Sequence, residues 1–160
     1  MNQVPNIWVM DADGNQSKPL THLKTKAMNT TFSQWSPDGT RITFSSDMNL
    51  TDPDPEATAN PADNIWSIAA DGSETNPVAL TSLTTPDLNW SDFVIFSYSP
   101  DGTAIVFSSG RDLDPAVDGA NTPPNNTQNI WIMDPNGNGE MPLTRLTEDQ
   151  ADNFVLYGND

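Results

Sequence analysis

The feature that most constrains the fold of this chain is an internal repeat. The tripeptide Asn-Ile-Trp occurs at 6–8, 64–66 and 129–131, and each copy is followed by a Gly-containing turn and then by Leu-Thr. A second segment, which contains Ser-Pro-Asp-Gly-Thr, recurs at 35–46 and 98–109, with 63 residues between Phe44 and Phe107. Units of this kind cannot each bury a core alone, so the number of repeats matters more than the total of 160 residues.

Each repeat predicts a meander of four short antiparallel strands. Apolar β-rich runs before a Gly turn predict one strand, and the Leu-Thr segments with a preceding Pro predict a short outer strand, because an edge strand can lack a donor. The runs before and after Ser-Pro-Asp-Gly predict the two inner strands. In order from the inside outward, the predicted strands are 32–35 and 93–98 (A), 41–45 and 104–108 (B), 7–10, 65–68 and 130–133 (C), and 18–21, 77–81 and 141–144 (D).

Stacked four-stranded meanders are typical of a β-propeller. No stretch has a sustained helical period, and runs such as 93–96 are apolar on both faces, as expected for sheets packed between other sheets. A β-sandwich also has many short strands, but sandwiches rarely repeat their turns so faithfully. The sequence therefore predicts an all-β chain of propeller blades.

The repeat resembles that of the TolB-type β-propellers, which is also found in the propeller domains of prolyl oligopeptidase-like enzymes. The residues that carry the resemblance are Trp-Ser-Pro-Asp-Gly-Thr-x-Ile-x-Phe-Ser-Ser, Asn-Ile-Trp-x-Met-Asp-x-x-Gly and Pro-Leu-Thr. It covers nearly the whole chain and implies a propeller fold. It implies no single function, because such propellers serve as protein-binding modules, substrate gates and carbohydrate-processing scaffolds.

In this register, the single segment 1–160 holds an incomplete propeller. We predict strands C and D of a partial blade at 6–30, a full blade at 31–83, a second full blade at 92–147, and strand A of a further partial blade at 153–157. A propeller closes with about four to eight blades. We therefore expect completion by self-association, as a closed ring or a head-to-tail filament, or by further blades of a longer chain.

Composition limits the classes of partner. A formal charge of −16, with only six Lys and Arg, argues against binding nucleic acid, and no segment predicts membrane insertion. Without cysteine, thiolate metal sites and disulfides are excluded. A protein or carbohydrate partner, or a cation, remains compatible.

Two acidic insertions between strands B and C are the candidate contact surface. The period of 63 exceeds the about 40 to 50 residues of ordinary blades, and both insertions fall at one rim of the propeller. Oxygen ligands at close spacing suit Ca²⁺, although the full calcium-loop pattern is missing and a solvated Pro-rich loop with capping Asp side chains is the alternative. The candidate ligands are Asp112, Asp114, Asp118 and Asn121, and, in a looser set, Asp52, Asp54 and Asp63.

Nothing in the sequence predicts catalysis. The single histidine, His22, follows an outer strand and reads as a surface residue, and no Gly-x-Ser-x-Gly elbow occurs. Trp8, Trp66 and Trp131 occupy matching positions and are expected to pack blade against blade. Trp90 lies in an insertion and either offers an aromatic contact platform or covers the blade edge.

These observations favour a non-catalytic binding or structural module of an extracellular or periplasmic protein. A substrate-gating propeller of a larger hydrolase and a subunit of an extracellular ring or filament are the alternatives. Neither a ligand nor a cofactor other than a possible Ca²⁺ is indicated.

Overall fold

A computed structural model describes residues 5–24, 30–49, 60–84, 95–111 and 128–146 of the chain. These residues contain ten β-strands and no helix, so none that could cross a membrane. The strands are, in chain order, β1 Trp8–Val9, β2 Lys18–Pro19, β3 Thr30–Trp35, β4 Arg41–Ser46, β5 Asn64–Ala69, β6 Val78–Ala79, β7 Phe96–Tyr98, β8 Ile105–Ser109, β9 Asn129–Met133 and β10 Met141–Pro142.

The strands form three antiparallel sheets, each ordered as its strands occur in the chain. Strands β1 and β2 form a two-stranded sheet, which we call the half-blade. Strands β3 to β6 form the first blade, and β7 to β10 form the second blade. The predicted four-stranded meander and the all-β architecture are thereby confirmed, with two complete sheets and part of another.

The inner strands of the two blades are joined by the same turn. In each, the Gly of Ser-Pro-Asp-Gly has a φ of 71°, at Gly39 and Gly102, which a residue with a β-carbon rarely adopts. The Gly amide donates to the Ser carbonyl at 2.8 Å and 2.9 Å, respectively. The repeated sequence therefore repeats a backbone conformation as well as a residue pattern.

The outer strands are shorter than predicted. Strand β6 spans Val78–Ala79, although 77–81 was expected, and β2 and β10 are shortened in the same way. The amides of Leu80 and Thr81 both donate to the carbonyl of Ile65, at 2.7 Å and 3.4 Å, so the regular ladder ends there. Pro19 and Pro142 lie on these edge strands, where a missing amide donor is tolerated.

Two apolar cores lie between neighbouring sheets. Interface one joins the half-blade to the first blade and contains Ile7, Leu20 and Leu23 packed with Ile42, Phe44, Met48, Trp66, Ile68 and Ala70. Interface two joins the first blade to the second and contains Ile65 and Leu80 packed with Ile105, Phe107, Trp131 and Met133. Each interface therefore takes an Ile-Leu pair from the preceding sheet and covers it with strands B and C of the following one.

Candidate functional site

The Asn of Asn-Ile-Trp and the Thr of Leu-Thr recur together because they form one hydrogen-bonded clamp. Asn64 Oδ1 accepts hydrogen bonds from Thr81 Oγ1 at 2.9 Å and from the Leu83 amide at 2.7 Å, and Asn64 Nδ2 donates to the Leu83 carbonyl at 2.9 Å. Thr81 Oγ1 in turn accepts from the Ile65 amide. The clamp therefore ties the start of strand C to the end of strand D.

The same clamp occurs in all three sheets. Asn6 binds Thr21 and Leu23 in the half-blade, and Asn129 binds Thr144 and Leu146 in the second blade. These polar groups satisfy backbone donors and acceptors next to a buried core. The recurrence of Asn and Thr is therefore structural, and it signals no binding site.

The Asp of each Ser-Pro-Asp-Gly turn is also held by hydrogen bonds. Asp101 Oδ1 accepts from Ser99 Oγ at 2.6 Å, from the Thr103 amide at 3.1 Å and from Thr103 Oγ1 at 2.8 Å. These bonds lower the pKa of Asp101 to about 2, and the bond from Ser99 makes the largest contribution. Asp38 has its pKa lowered in the same way by Ser36 and Thr40. Both carboxylates brace turns and are exposed.

Exposure separates the three repeated tryptophans. Trp66 and Trp131 are 3% exposed, and their indole Nε1 atoms donate to the carbonyls of Ser46 and Ser109 at 3.0 Å and 3.3 Å. Trp8 is 60% exposed. The prediction that all three pack blade against blade is therefore right for Trp66 and Trp131 and wrong for Trp8, because the described part of the half-blade has no strand B beside β1.

The opposite face of the second blade is uncovered in a matching way. Leu143 is 53% exposed, whereas its equivalents Leu20 and Leu80 are 2% and 7% exposed. Ile130, the equivalent of the core residues Ile7 and Ile65, is 37% exposed. We call Trp8 and Met10 the leading face and Ile130 and Leu143 the trailing face. Both are exposed apolar surfaces, which in folded proteins often mark contact sites.

Arg111 is a buried residue that the sequence did not single out. Its guanidinium lies 5.2 Å from the ring centre of Phe107 and 5.0 Å from that of Trp131, and Nη1 donates to Glu140 Oε2 at 2.5 Å. The corresponding residue in the first blade is Met48, which is part of interface one. Arg111 thus anchors the start of the second acidic insertion on the aromatic side of interface two, and only alignment with a known core position would have revealed it.

Most of the predicted site residues lie outside the described ranges. This holds for Asp112, Asp114, Asp118 and Asn121, for Asp52 and Asp54, and for Trp90 and strand 153–157. Asp63 is described and half-buried directly before β5. Within the described ranges, no group of three or more His, Cys, Asp or Glu side chains could hold a metal ion. His22 is exposed in the half-blade.

The fold is similar to that of TolB propellers. The chain matches a protein described as a TolB from Agrobacterium tumefaciens with a TM-score of 0.56 and 25% identity, over 90% of this chain and 42% of that one. It matches TolB from Acinetobacter baumannii with a TM-score of 0.53 and 20% identity, over 90% of this chain and 28% of that one. The resemblance to the TolB-type repeat is therefore confirmed at the level of the fold, and this chain spans less than half the length of either protein.

An enzyme is also among the similar structures. An oligogalacturonate lyase in complex with manganese matches with a TM-score of 0.50 and 17% identity, over 86% of this chain and 28% of that one. No protein-family model matches the chain, and no curated protein matches it. The class that the fold defines is thus an incomplete TolB-like β-propeller.

Proposed function

We propose that this chain is a non-catalytic binding or structural module. In this proposal it is a partial β-propeller that is completed by further copies of itself or by further chain, and its acidic rim loops are the contact or cation-binding surface. The observation that carries the proposal is the difference in exposure between Trp8 and its two buried equivalents. A blade side chain of this type is a core residue wherever a neighbour is present, so its exposure marks a place for a neighbour.

The charge of the chain supports a contact role for the rim. The two insertions carry many of the acidic residues behind the formal charge of −16. Such a surface favours cations and basic partners and repels nucleic acid. Export to an extracellular or periplasmic location is compatible with this composition and forms part of the proposal.

Completion can be tested through stability. If a neighbouring copy covers the two faces, folding is coupled to association, and the unfolding midpoint rises with protein concentration. Thermal unfolding over about a hundredfold range of concentration measures this effect. A midpoint independent of concentration would argue against completion by copies of this chain.

The rim can be tested with calcium. We expect calcium to raise the unfolding midpoint relative to a chelator, and we expect the double variant Asp112→Asn with Asp114→Asn to lose that increase. Asp11→Asn with Asp13→Asn, in an exposed turn outside both insertions, controls for the loss of two charges. An unchanged midpoint in the wild-type chain would count against a calcium ion in the rim loops.

A substrate-gating propeller of a larger hydrolase is the second candidate. The similar oligogalacturonate lyase is an enzyme, so the fold by itself is compatible with a place in one. Longer flanking sequence that encodes a hydrolase domain would favour this candidate. A third reading, a subunit of an extracellular ring or filament, shares the self-association of the first.

A further inference from the structure

We infer that the leading face of one copy docks on the trailing face of a second copy. The proposed contact places Trp8 and Met10 of one copy against Ile130 and Leu143 of the other. This inference rests on the proposed completion by self-association and specifies which surfaces meet.

The two covered interfaces show which residues meet in this fold. In interface one, Trp66 and Ile68 pack against Ile7 and Leu20. In interface two, Trp131 and Met133 pack against Ile65 and Leu80. Each contact therefore combines a Trp and an Ile or Met from one sheet with an Ile and a Leu from the sheet before it.

The described residues include both halves of a third contact of the same kind, and both halves are exposed. Trp8 and Met10 occupy the positions of Trp131 and Met133, and Met10 is 64% exposed. Ile130 and Leu143 occupy the positions of Ile65 and Leu80. Because successive side chains of a strand point to opposite faces, Trp8 faces away from Ile7 and from interface one. The occupant that best matches each face is therefore the other face of a second copy.

A turn glycine supports the same pairing. A β-carbon on Gly137 would lie 2.5 Å from the carbonyl oxygen of Leu80, so this turn packs tightly on the preceding sheet. A β-carbon on Gly72 would lie 3.3 Å from Lys18 Nζ and 3.7 Å from the side chain of Leu20. A β-carbon on the matching Gly14 would have no contact within 4 Å beyond its chain neighbours. In the proposed contact, Gly14 approaches Leu143 as Gly137 approaches Leu80.

This contact differs in kind from a symmetric patch-to-patch dimer. Leading and trailing faces are different surfaces, so the interface is heterologous and gives a ring if the rotation closes or a filament if it does not. Copies with a charge of −16 repel each other. Added salt screens this repulsion, so we expect association to strengthen with salt.

Two single variants and their mixture test the inference. Trp8→Asp damages only the leading face, and Leu143→Asp damages only the trailing face. Each should weaken self-association by at least about tenfold, because each removes a large apolar contact and introduces a charge. When mixed, the two variants should form a one-to-one complex, since the intact trailing face of one fits the intact leading face of the other. Sedimentation velocity measures all four samples, including wild type.

The control is Val78→Asp, which lies on the outer strand of the first blade and is exposed to the same 53% as Leu143. This variant should associate like wild type. Far-UV circular dichroism and the pairing of the mixture separate a lost interface from a lost fold. Wild-type association that persists in both single variants, or a mixture that stays monomeric, would overturn this docking while leaving completion standing. A wild-type chain that is monomeric throughout would overturn completion by copies as well.

Discussion

The two interfaces between blades and the two exposed end faces are built from residues at equivalent positions of the repeat. These residues are buried in the interfaces and exposed at the end faces. Phe44 and Phe107 from strand B, together with a Trp from strand C, cover the Ile-Leu pair of the sheet before them. At the ends, no described residue provides such a pair for Trp8 or such a cover for Leu143. A residue pattern alone therefore does not decide burial in a repeat protein, because the neighbouring unit supplies half of each core.

The largest effect on stability should come from truncating the tryptophan of an inner interface, compared with truncating its equivalent on the leading face. We expect Trp66→Ala to lower the free energy of unfolding by about 3–5 kcal/mol, since it removes a buried side chain and leaves a cavity. Trp8→Ala should change it by less than about 1 kcal/mol in dilute solution, because Trp8 is exposed there. Urea unfolding of both variants measures the difference, and equal losses would contradict the assignment of Trp8 to an open face.

A smaller effect is expected from the clamps. Asn64→Ala leaves Thr81 Oγ1 and the Leu83 amide without their acceptor in a buried site, which should cost about 2 kcal/mol of stability. Asn6→Ala should cost about half as much, because water can reach the half-blade clamp and replace the lost bonds. The same urea experiment measures both. A larger loss for Asn6 than for Asn64 would be inconsistent with the half-blade being the more open of the two.

The ion pair between the buried Arg111 and the partly exposed Glu140 sharpens the comparison between the two inner interfaces. Arg111→Met gives interface two the residue type that interface one has at Met48. We expect stability within about 1 kcal/mol of wild type, because water can solvate the partly exposed Glu140 that is left without its partner. Glu140→Gln should be the more destabilising change, since it removes the negative charge next to the buried guanidinium. If Arg111→Met lowers the free energy of unfolding more than Glu140→Gln does, the guanidinium stabilises the fold by more than its packing alone.

The smallest effect concerns pH. The pKa of Asp101 is about 2 in the folded chain, below the ordinary value of 3.8. The ionised carboxylate therefore stabilises the fold at pH values above 3.8. This contribution is lost as the pH falls from about 4 towards 2. Asp101→Asn should therefore be less stable than wild type at neutral pH and should approach it in acid. Asp13→Asn, on an exposed turn, controls for the loss of one charge. A constant difference between Asp101→Asn and wild type across this range would contradict the role of Asp101.

Much of the fold could be predicted from the sequence because the repeat encodes it locally. The Ser-Pro-Asp-Gly turn requires a positive φ at Gly102, and the β-rich runs around it become strands within one to three residues of their predicted bounds. The ends of the outer strands were not predicted, because they depend on two amides that share the carbonyl of Ile65. The hydrophobic pattern of a sequence does not indicate where two amides will share one carbonyl acceptor.

The sites were harder to predict than the strands. Trp8 looks identical to Trp66 in sequence, yet it is exposed because the described residues provide neither a strand B beside β1 nor a preceding sheet with an Ile-Leu pair. Arg111 lies at the start of an acidic insertion, where the sequence predicts a solvent-exposed cation. The aromatic rings of interface two nevertheless bury it. In both cases a neighbouring sheet determines burial. The residues of that sheet are distant in sequence, so the local residue pattern does not reveal them.

The most direct measurement is the mass of the wild-type chain in solution. Sedimentation velocity at increasing protein concentration should show a species of at least two copies that dissociates on dilution, because the leading and trailing faces then cover each other. A single species of 17.4 kDa at every concentration would contradict self-completion.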